Sequence, residues 1–118
     1  MSLLDIRMAI GESGPMVMLS GEADLTNVAQ LDGALNAQIT AGTQQLTVDL
    51  SGLSFADSAS IAALVRASRK LKDQGGRLEL TNPQPTVTRA LSLLGIDQAL
   101  AVHAAPDTRT ARNTETKW

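Results

Sequence analysis

The sequence is poor in the residue types that support several common functions. It has no cysteine among its 118 residues, so it forms no disulfide and offers no thiolate to a metal ion, which is compatible with a reducing cytoplasm. One Phe, one Trp and no Tyr leave little surface on which nucleic-acid bases could stack, and a net charge of -2 without a basic run does not attract a phosphate backbone. The apolar runs are far shorter than a membrane span. We therefore expect a cytoplasmic protein that binds no nucleic acid and does not insert into a membrane.

Catalytic and metal-binding groups are also scarce. The single histidine, His103, has no cysteine and no second histidine with which to form a metal site. The sequence offers no credible general base for a serine nucleophile, so we expect no catalytic residue, no enzyme activity and no cofactor. Because aromatic residues are so few, the core must be aliphatic, and we interpret Met8, Met16 and Met18 as part of it.

Hydrophobic periodicity predicts alternating strands and helices. Ile6, Met8 and Ile10 alternate with other residues, and a second apolar run over residues 16–20 is closed by Gly21, which predicts a hairpin. Further strands are predicted over residues 46–50, 77–80 and 99–102. Helical spacing predicts three helices, one capped by Thr26 or Asn27 and ending before Gly42, one ending at Gly75 and one closed by Gly95.

The order of these elements, β-β-α-β-α-β-α-β, predicts an α/β domain with a mixed sheet of about five strands and three or four helices. The domain is predicted to span residues 5–103. Residues 104–118 have almost no apolar periodicity and are expected to form a tail that is either mobile or docked only by Trp118.

The segment that follows the third strand is the candidate functional site. A short loop over residues 51–56 is predicted to lead through Asp57 and Ser58 into the second helix, whose free N–H groups and partial positive charge favour an anion. Ser58 and Ser60 are either phosphate acceptors or ordinary hydroxyls of the first helical turn. We interpret Asp57 as a helix cap rather than a catalytic group. Asp24 and Asp49 either join this loop in an acidic patch or are solvated surface carboxylates.

Three stretches resemble the STAS family of anti-sigma factor antagonists. Residues 21–25, Gly-Glu-Ala-Asp-Leu, resemble the turn before the family's first helix. Residues 46–58 resemble its strand and Asp-Ser loop, and residues 89–97 resemble its third helix and the segment that follows. Their order and spacing together are specific, so the resemblance extends over roughly residues 5–103 and implies a STAS fold.

The resemblance also implies a partner. In the family, a GHKL-type serine kinase that is also an anti-sigma factor phosphorylates the second hydroxyl residue of an Asp-Ser-Ser/Thr-Gly-Leu loop. Here Ala59 occupies that position, Ser60 replaces the glycine and Ile61 replaces the leucine. The predicted partner-binding residues are Asp24, Thr26, Asp57, Ser58, Ala59, Ser60 and Ile61.

Two functions remain open. The first is antagonism of an anti-sigma factor in a bacterial partner-switching pathway, with Ala59 removing the usual phosphorylation switch. The second is a STAS regulatory or accessory module, associated with a transporter or binding a small ligand or nucleotide. For either function we expect a monomer or a weak dimer, since the sequence predicts an exposed sheet edge but no strong apolar patch.

Overall fold

The computed structural model describes residues 3–95 and 101–103. The elements in chain order are β1 (Leu4–Gly11), β2 (Gly14–Ala23), α1 (Val28–Thr40), β3 (Gln45–Ala56), α2 (Ser58–Asp73), β4 (Arg77–Thr81), α3 (Pro85–Leu93) and β5 (Ala101–His103). They form one five-stranded sheet in the order β1-β2-β3-β4-β5. The β1–β2 pair is antiparallel and the other pairs are parallel, so the predicted mixed α/β sheet is confirmed.

The core is aliphatic, as predicted. Alternate residues of β2 and β3, such as Val17, Leu19 and Val48, are fully or almost fully buried. Buried leucine and isoleucine side chains of all three described helices complete the core. The interpretation of the methionines is wrong in part: Met8 is 49% exposed and Met18 is 38% exposed.

The helix ends agree with the predictions from glycine. Gly42, Gly75 and Gly95 follow α1, α2 and α3 within two residues and all have positive φ. The C-terminal strand is β5, which begins at Ala101, whereas residues 99 and 100 of the predicted strand lie outside the described residues, as does the predicted tail. None of the helices in the described ranges is long and apolar enough to cross a membrane.

Strands β2 and β3 are longer than the sequence predicted. The segment 51–56, which we predicted as a loop, is the second half of β3, and β2 continues through Gly21 to Ala23. The pairing of β2 with β3 shifts twice. Met18 and Ser20 pair with Asp49 and Gly52 respectively, which is the first shift. Gly21 and Glu22 pair with Leu53 and Phe55 respectively, which is the second. At each shift β3 has one residue more than β2, which breaks the period of two by which a strand is recognised in a sequence.

Gly52 lies where the two strands approach each other closely. A Cβ atom at this position would be 2.7 Å from the Cβ of Ser20 and 3.1 Å from the carbonyl oxygen of Leu19. Only glycine therefore fits between the two bulges without displacing β2. With glycine at this position, β3 stays paired with β2 as far as Ala56. Asp57 therefore lies at the end of the sheet, immediately before α2.

Candidate functional site

Asp57 caps helix α2. Its backbone is extended, with φ -85° and ψ 179°, and the helix begins at the next residue. One carboxylate oxygen, Oδ1, accepts hydrogen bonds from the backbone N–H of Ser60 at 2.9 Å and from the Ser60 hydroxyl at 2.9 Å. A carboxylate that accepts the N–H three residues later is a helix N-cap, so the interpretation of Asp57 as a cap is confirmed.

The second oxygen of Asp57 connects α2 to the turn that follows β2. Oδ2 accepts a hydrogen bond from the backbone N–H of Leu25 at 3.0 Å, and the Asp57 N–H donates to the carbonyl of Ala23 at 3.1 Å. Both carboxylate oxygens are thus engaged by the chain itself. The Asp57 side chain therefore fixes the position of the turn at residues 24–27 relative to the start of α2.

Local side-chain bonds define that turn. Asp24 Oδ1 accepts the N–H of Thr26 at 2.9 Å, an Asx turn, and also accepts the Thr26 hydroxyl. Asn27 is 4% exposed, and its side chain accepts the N–H of Asp24 at 2.9 Å and donates to the carbonyl of Glu22 at 3.0 Å. Asn27 occupies the N-cap position of α1 but makes no capping side-chain bond, so the predicted capping role is wrong. Its amide instead holds the turn in place.

The two candidate phosphate acceptors occupy different environments. The Ser58 side chain is exposed, and its hydroxyl makes no hydrogen bond within the part of the chain that the structure describes. Ser60 is 1% exposed and its hydroxyl is bound to Asp57, so it is out of reach of a kinase unless the turn opens. Ala59 lies between them and is half-buried.

Two members of the predicted partner-binding set do not reach the surface. Ser60 and Ile61 are each 1% exposed, and Ile61 belongs to the hydrophobic core. The first turn of α2 must bury one side against the sheet, and these are the residues that its rotation turns inward. Their side chains pack inside the protein beneath the first turn of α2 and are not accessible to a partner.

Two exposed apolar residues near Asp57 were not among the predicted partner-binding residues. Leu25, whose N–H binds Asp57, is 73% exposed, and Phe55, which precedes Asp57 by two residues, is 43% exposed. The sequence signal for Phe55 was hidden because the second bulge of β3 displaces it from the alternating pattern. We call the surface formed by Asp24, Leu25, Thr26, Phe55, Ser58 and Ala59 the cap surface.

Asp49 does not belong to this surface. It is 9% exposed on β3, and its carboxylate accepts hydrogen bonds from Ser51 at 2.8 Å, Asn82 at 3.2 Å and Thr81 at 3.4 Å. Asp57 follows it after six regular strand steps and two bulge residues, so at roughly 3.3 Å per regular step the two lie about 20 Å apart along the sheet. Neither alternative therefore holds for Asp49: it does not join an acidic patch with Asp24, and it is not a solvated surface carboxylate, because it is buried and joins β3 to the end of β4.

Two basic side chains of α2 contact the neighbouring helix α1. Arg66 forms an ion pair with Asp32 of α1 at 3.1 Å, and Lys70 donates to Asn36 at 3.1 Å. These contacts tie α2 to α1 rather than to the cap surface. Within residues 3–95 and 101–103, no group of three or more His, Asp or Glu side chains could hold a metal ion.

The chain is similar to known proteins over most of its length. The family model described as "Mlab, STAS domain" matches residues 6–103. An anti-sigma F factor antagonist from Lysinibacillus sphaericus is 33% identical over 82 residues, which are 69% of this chain and 70% of the relative. The crystal structure of an anti-sigma factor antagonist from Mycobacterium paratuberculosis superimposes with a TM-score of 0.80, at 23% identity and with 90% of each chain covered.

A second similar structure is that of the Bacillus cell fate determinant SpoIIAA in its phosphorylated form. It has a TM-score of 0.66 and 22% identity, with 88% of this chain and 96% of that chain covered. At such identities the two structures support the fold, and the family match supports the relationship. The chain therefore belongs to the STAS domain family, and within that family it is similar to the anti-sigma factor antagonists.

Proposed function

We propose that this protein is a cytoplasmic anti-sigma factor antagonist that binds a GHKL-type anti-sigma factor kinase in a bacterial partner-switching pathway and has no enzyme activity of its own. The observation that carries the proposal is the cap surface. Leu25, in the hydrogen-bonded turn, and Phe55, two residues before Asp57, expose apolar side chains near the Asp24 carboxylate, and apolar anchors surrounded by polar groups are typical of protein interfaces. The similarity to named anti-sigma factor antagonists supports the same function.

The position of Ala59 suggests that binding is constitutive. In the family resemblance this residue occupies the phosphate-accepting position, and alanine has no hydroxyl to accept a phosphate. Ser60 is enclosed and bonded to Asp57, which leaves Ser58 as the accessible hydroxyl of the loop. A phosphate on Ser58 would gain from the partial positive charge at the start of α2 but would lie next to the Asp57 carboxylate. We therefore favour an antagonist without a phosphorylation switch. If the phosphorylated position is shifted from residue 59, Ser58 is the acceptor.

Binding to an isolated anti-sigma factor tests the first part of the proposal. We expect affinity capture from the source bacterium to recover a GHKL-type anti-sigma protein, and calorimetry with the purified protein to give a complex that Ala59→Asp weakens by tenfold or more. The new carboxylate would have to be desolvated at the interface. The matched control is Ala37→Asp on the exposed side of α1, which should leave affinity unchanged.

Two results would contradict the proposal. If Ala59→Asp binds the captured anti-sigma factor as tightly as the parent chain, the cap surface is not the interface. If capture yields a transporter ATPase instead, or a nucleotide raises the melting temperature, the chain is the regulatory or accessory module that the sequence left open.

Incubation with the captured kinase and ATP, followed by peptide mapping, tests the second part. We expect no phosphate on the parent chain. Phosphate on Ser58 would show a shifted switch, and phosphate outside residues 57–60 would exclude this loop as the switch.

A further inference from the structure

Strand β1 is an edge of the sheet, and its outer backbone groups have no strand partner within the described residues. The pairing with β2 is regular from Leu4 opposite Gly21 to Gly11 opposite Gly14. The N–H of Glu22 donates to the carbonyl of Leu3 at 2.9 Å, so the odd-numbered residues of β1 direct their backbone groups toward β2. The N–H and C=O groups of Leu4, Ile6 and Met8 therefore point outward.

The usual protection of an edge strand is missing from β1. Natural edges are blunted by proline, by bulges or by isolated charged side chains, and β1 has eight residues, no proline and no shift of register. Its two charges, Asp5 and Arg7, lie on one face and neutralise each other in a 2.8 Å ion pair. The other face carries apolar residues, of which Met8 is 49% and Ile10 is 82% exposed.

We propose that two copies of this chain associate through antiparallel pairing of β1 with β1, about a two-fold axis at Ile6. In this register Ile6 faces the partner's Ile6, and Leu4 faces the partner's Met8. These are the residues whose backbone groups point outward, so each facing pair exchanges two backbone hydrogen bonds, about six in all. Apolar side chains meet on the helix-covered face of the sheet.

Charge selects this register over its neighbours. Asp5 faces the partner's Arg7, and by symmetry Arg7 faces the partner's Asp5, at positions where side chains approach most closely. Moving the axis by one residue along β1 in either direction places Arg7 opposite the partner's Arg7, or Asp5 opposite the partner's Asp5. Two like charges directly opposite each other destabilise a strand pair. In a register that pairs odd-numbered residues with even-numbered ones, the apolar face of one copy would lie on the same side of the sheet as the charged face of the other.

The proposed dimer leaves the cap surface free. Because β1 of one copy is antiparallel to β1 of the other, the two β2 strands also run in opposite directions. The two Asp57 caps therefore lie at opposite ends of a ten-stranded sheet, where each can bind its own partner. Since only about five residues of each strand pair, and since the charges are exposed, we expect a weak dimer that dissociates at high salt.

Charge reversal tests the proposal on the full chain. We expect sedimentation equilibrium to show a monomer–dimer equilibrium, and Arg7→Asp to lower the association constant by tenfold or more because two attractive pairs become repulsive. The double variant Asp5→Arg/Arg7→Asp restores complementary charges and should restore the dimer. Arg77→Asp is the matched control, since Arg77 pairs with Glu79 two residues away at 2.9 Å but lies on β4.

Disulfide trapping tests the register, because the chain has no cysteine of its own. A mixture of Asp5→Cys and Arg7→Cys chains should form a mixed disulfide, since residues that face each other at such positions have Cα atoms about 4.5 Å apart. Arg7→Cys alone should crosslink much less. A monomer at all concentrations, a dimer that survives Arg7→Asp, or equal crosslinking of Arg7→Cys alone would each overturn the proposal.

Discussion

Replacing Asp57 by alanine should destabilise the protein more than an ordinary surface substitution. Loss of the N-cap bond to the N–H of Ser60 costs about 1 kcal/mol. The Ser60 hydroxyl, 1% exposed, also loses its acceptor, and an unsatisfied buried polar group costs about 1–3 kcal/mol. Loss of the bond from the N–H of Leu25 should add little to this cost, because water can replace the carboxylate at this exposed position. We therefore expect the free energy of unfolding to fall by about 3 kcal/mol.

Urea denaturation followed by circular dichroism measures this loss, and the melting temperature should fall by more than about 10 °C. Asp73→Ala, at the other end of α2, is the matched control and should be neutral or slightly stabilising, since a carboxylate is unfavourable near a helix C-terminus. The double variant Asp57→Ala/Ser60→Ala removes the orphaned hydroxyl and should be more stable than the sum of the two single losses predicts. A loss below about 0.5 kcal/mol for Asp57→Ala, or strict additivity, would refute the reasoning.

Three further predictions concern separate parts of the fold. Gly52→Ala should cost about 1–3 kcal/mol of unfolding free energy in urea because its Cβ would crowd β2, whereas Gly33→Ala, with open space on α1, should be neutral or stabilising. Arg66→Ala should reduce the free energy of unfolding by less than about 1 kcal/mol in the same assay, since its pair with Asp32 is exposed. A larger loss would show that Arg66 stabilises the fold more than an exposed ion pair does. Ala59→Ser should become phosphorylated by the captured kinase, as mass spectrometry can show, and an unmodified variant would mean that the loop is not recognised in the family register.

The alternation and helical spacing of the apolar residues were enough to predict the α/β fold. They placed the helices, their glycine ends and the aliphatic core, because these features depend on local conformational preference and on which face of an element is buried. The Asp57 cap could be predicted for the same reason, since the bond spans only three residues.

The second half of β3 could not be predicted. Its two extra residues are bulges, and a bulge is defined only by the strand beside it, which is β2. The sequence pattern therefore predicted a loop over residues 51–56, and it did not indicate that Phe55 would be exposed near Asp57. It also left open whether Asp49 joins the Asp57 loop, because it cannot show that the rest of β3 continues as an extended strand between the two aspartates.

By itself, the sequence determined the class of fold, the order of its elements, the capped start of α2 and the absence of a hydroxyl at residue 59. The tertiary structure decided which of the neighbouring side chains can be reached: Ser58 is outside, whereas Ser60 and Ile61 are enclosed. It also decided that Asp57 joins α2 to the turn at Leu25, a contact between residues 32 positions apart. Such contacts depend on how the strands are placed side by side, and that arrangement is set by packing across the whole sheet rather than by any local stretch of the chain.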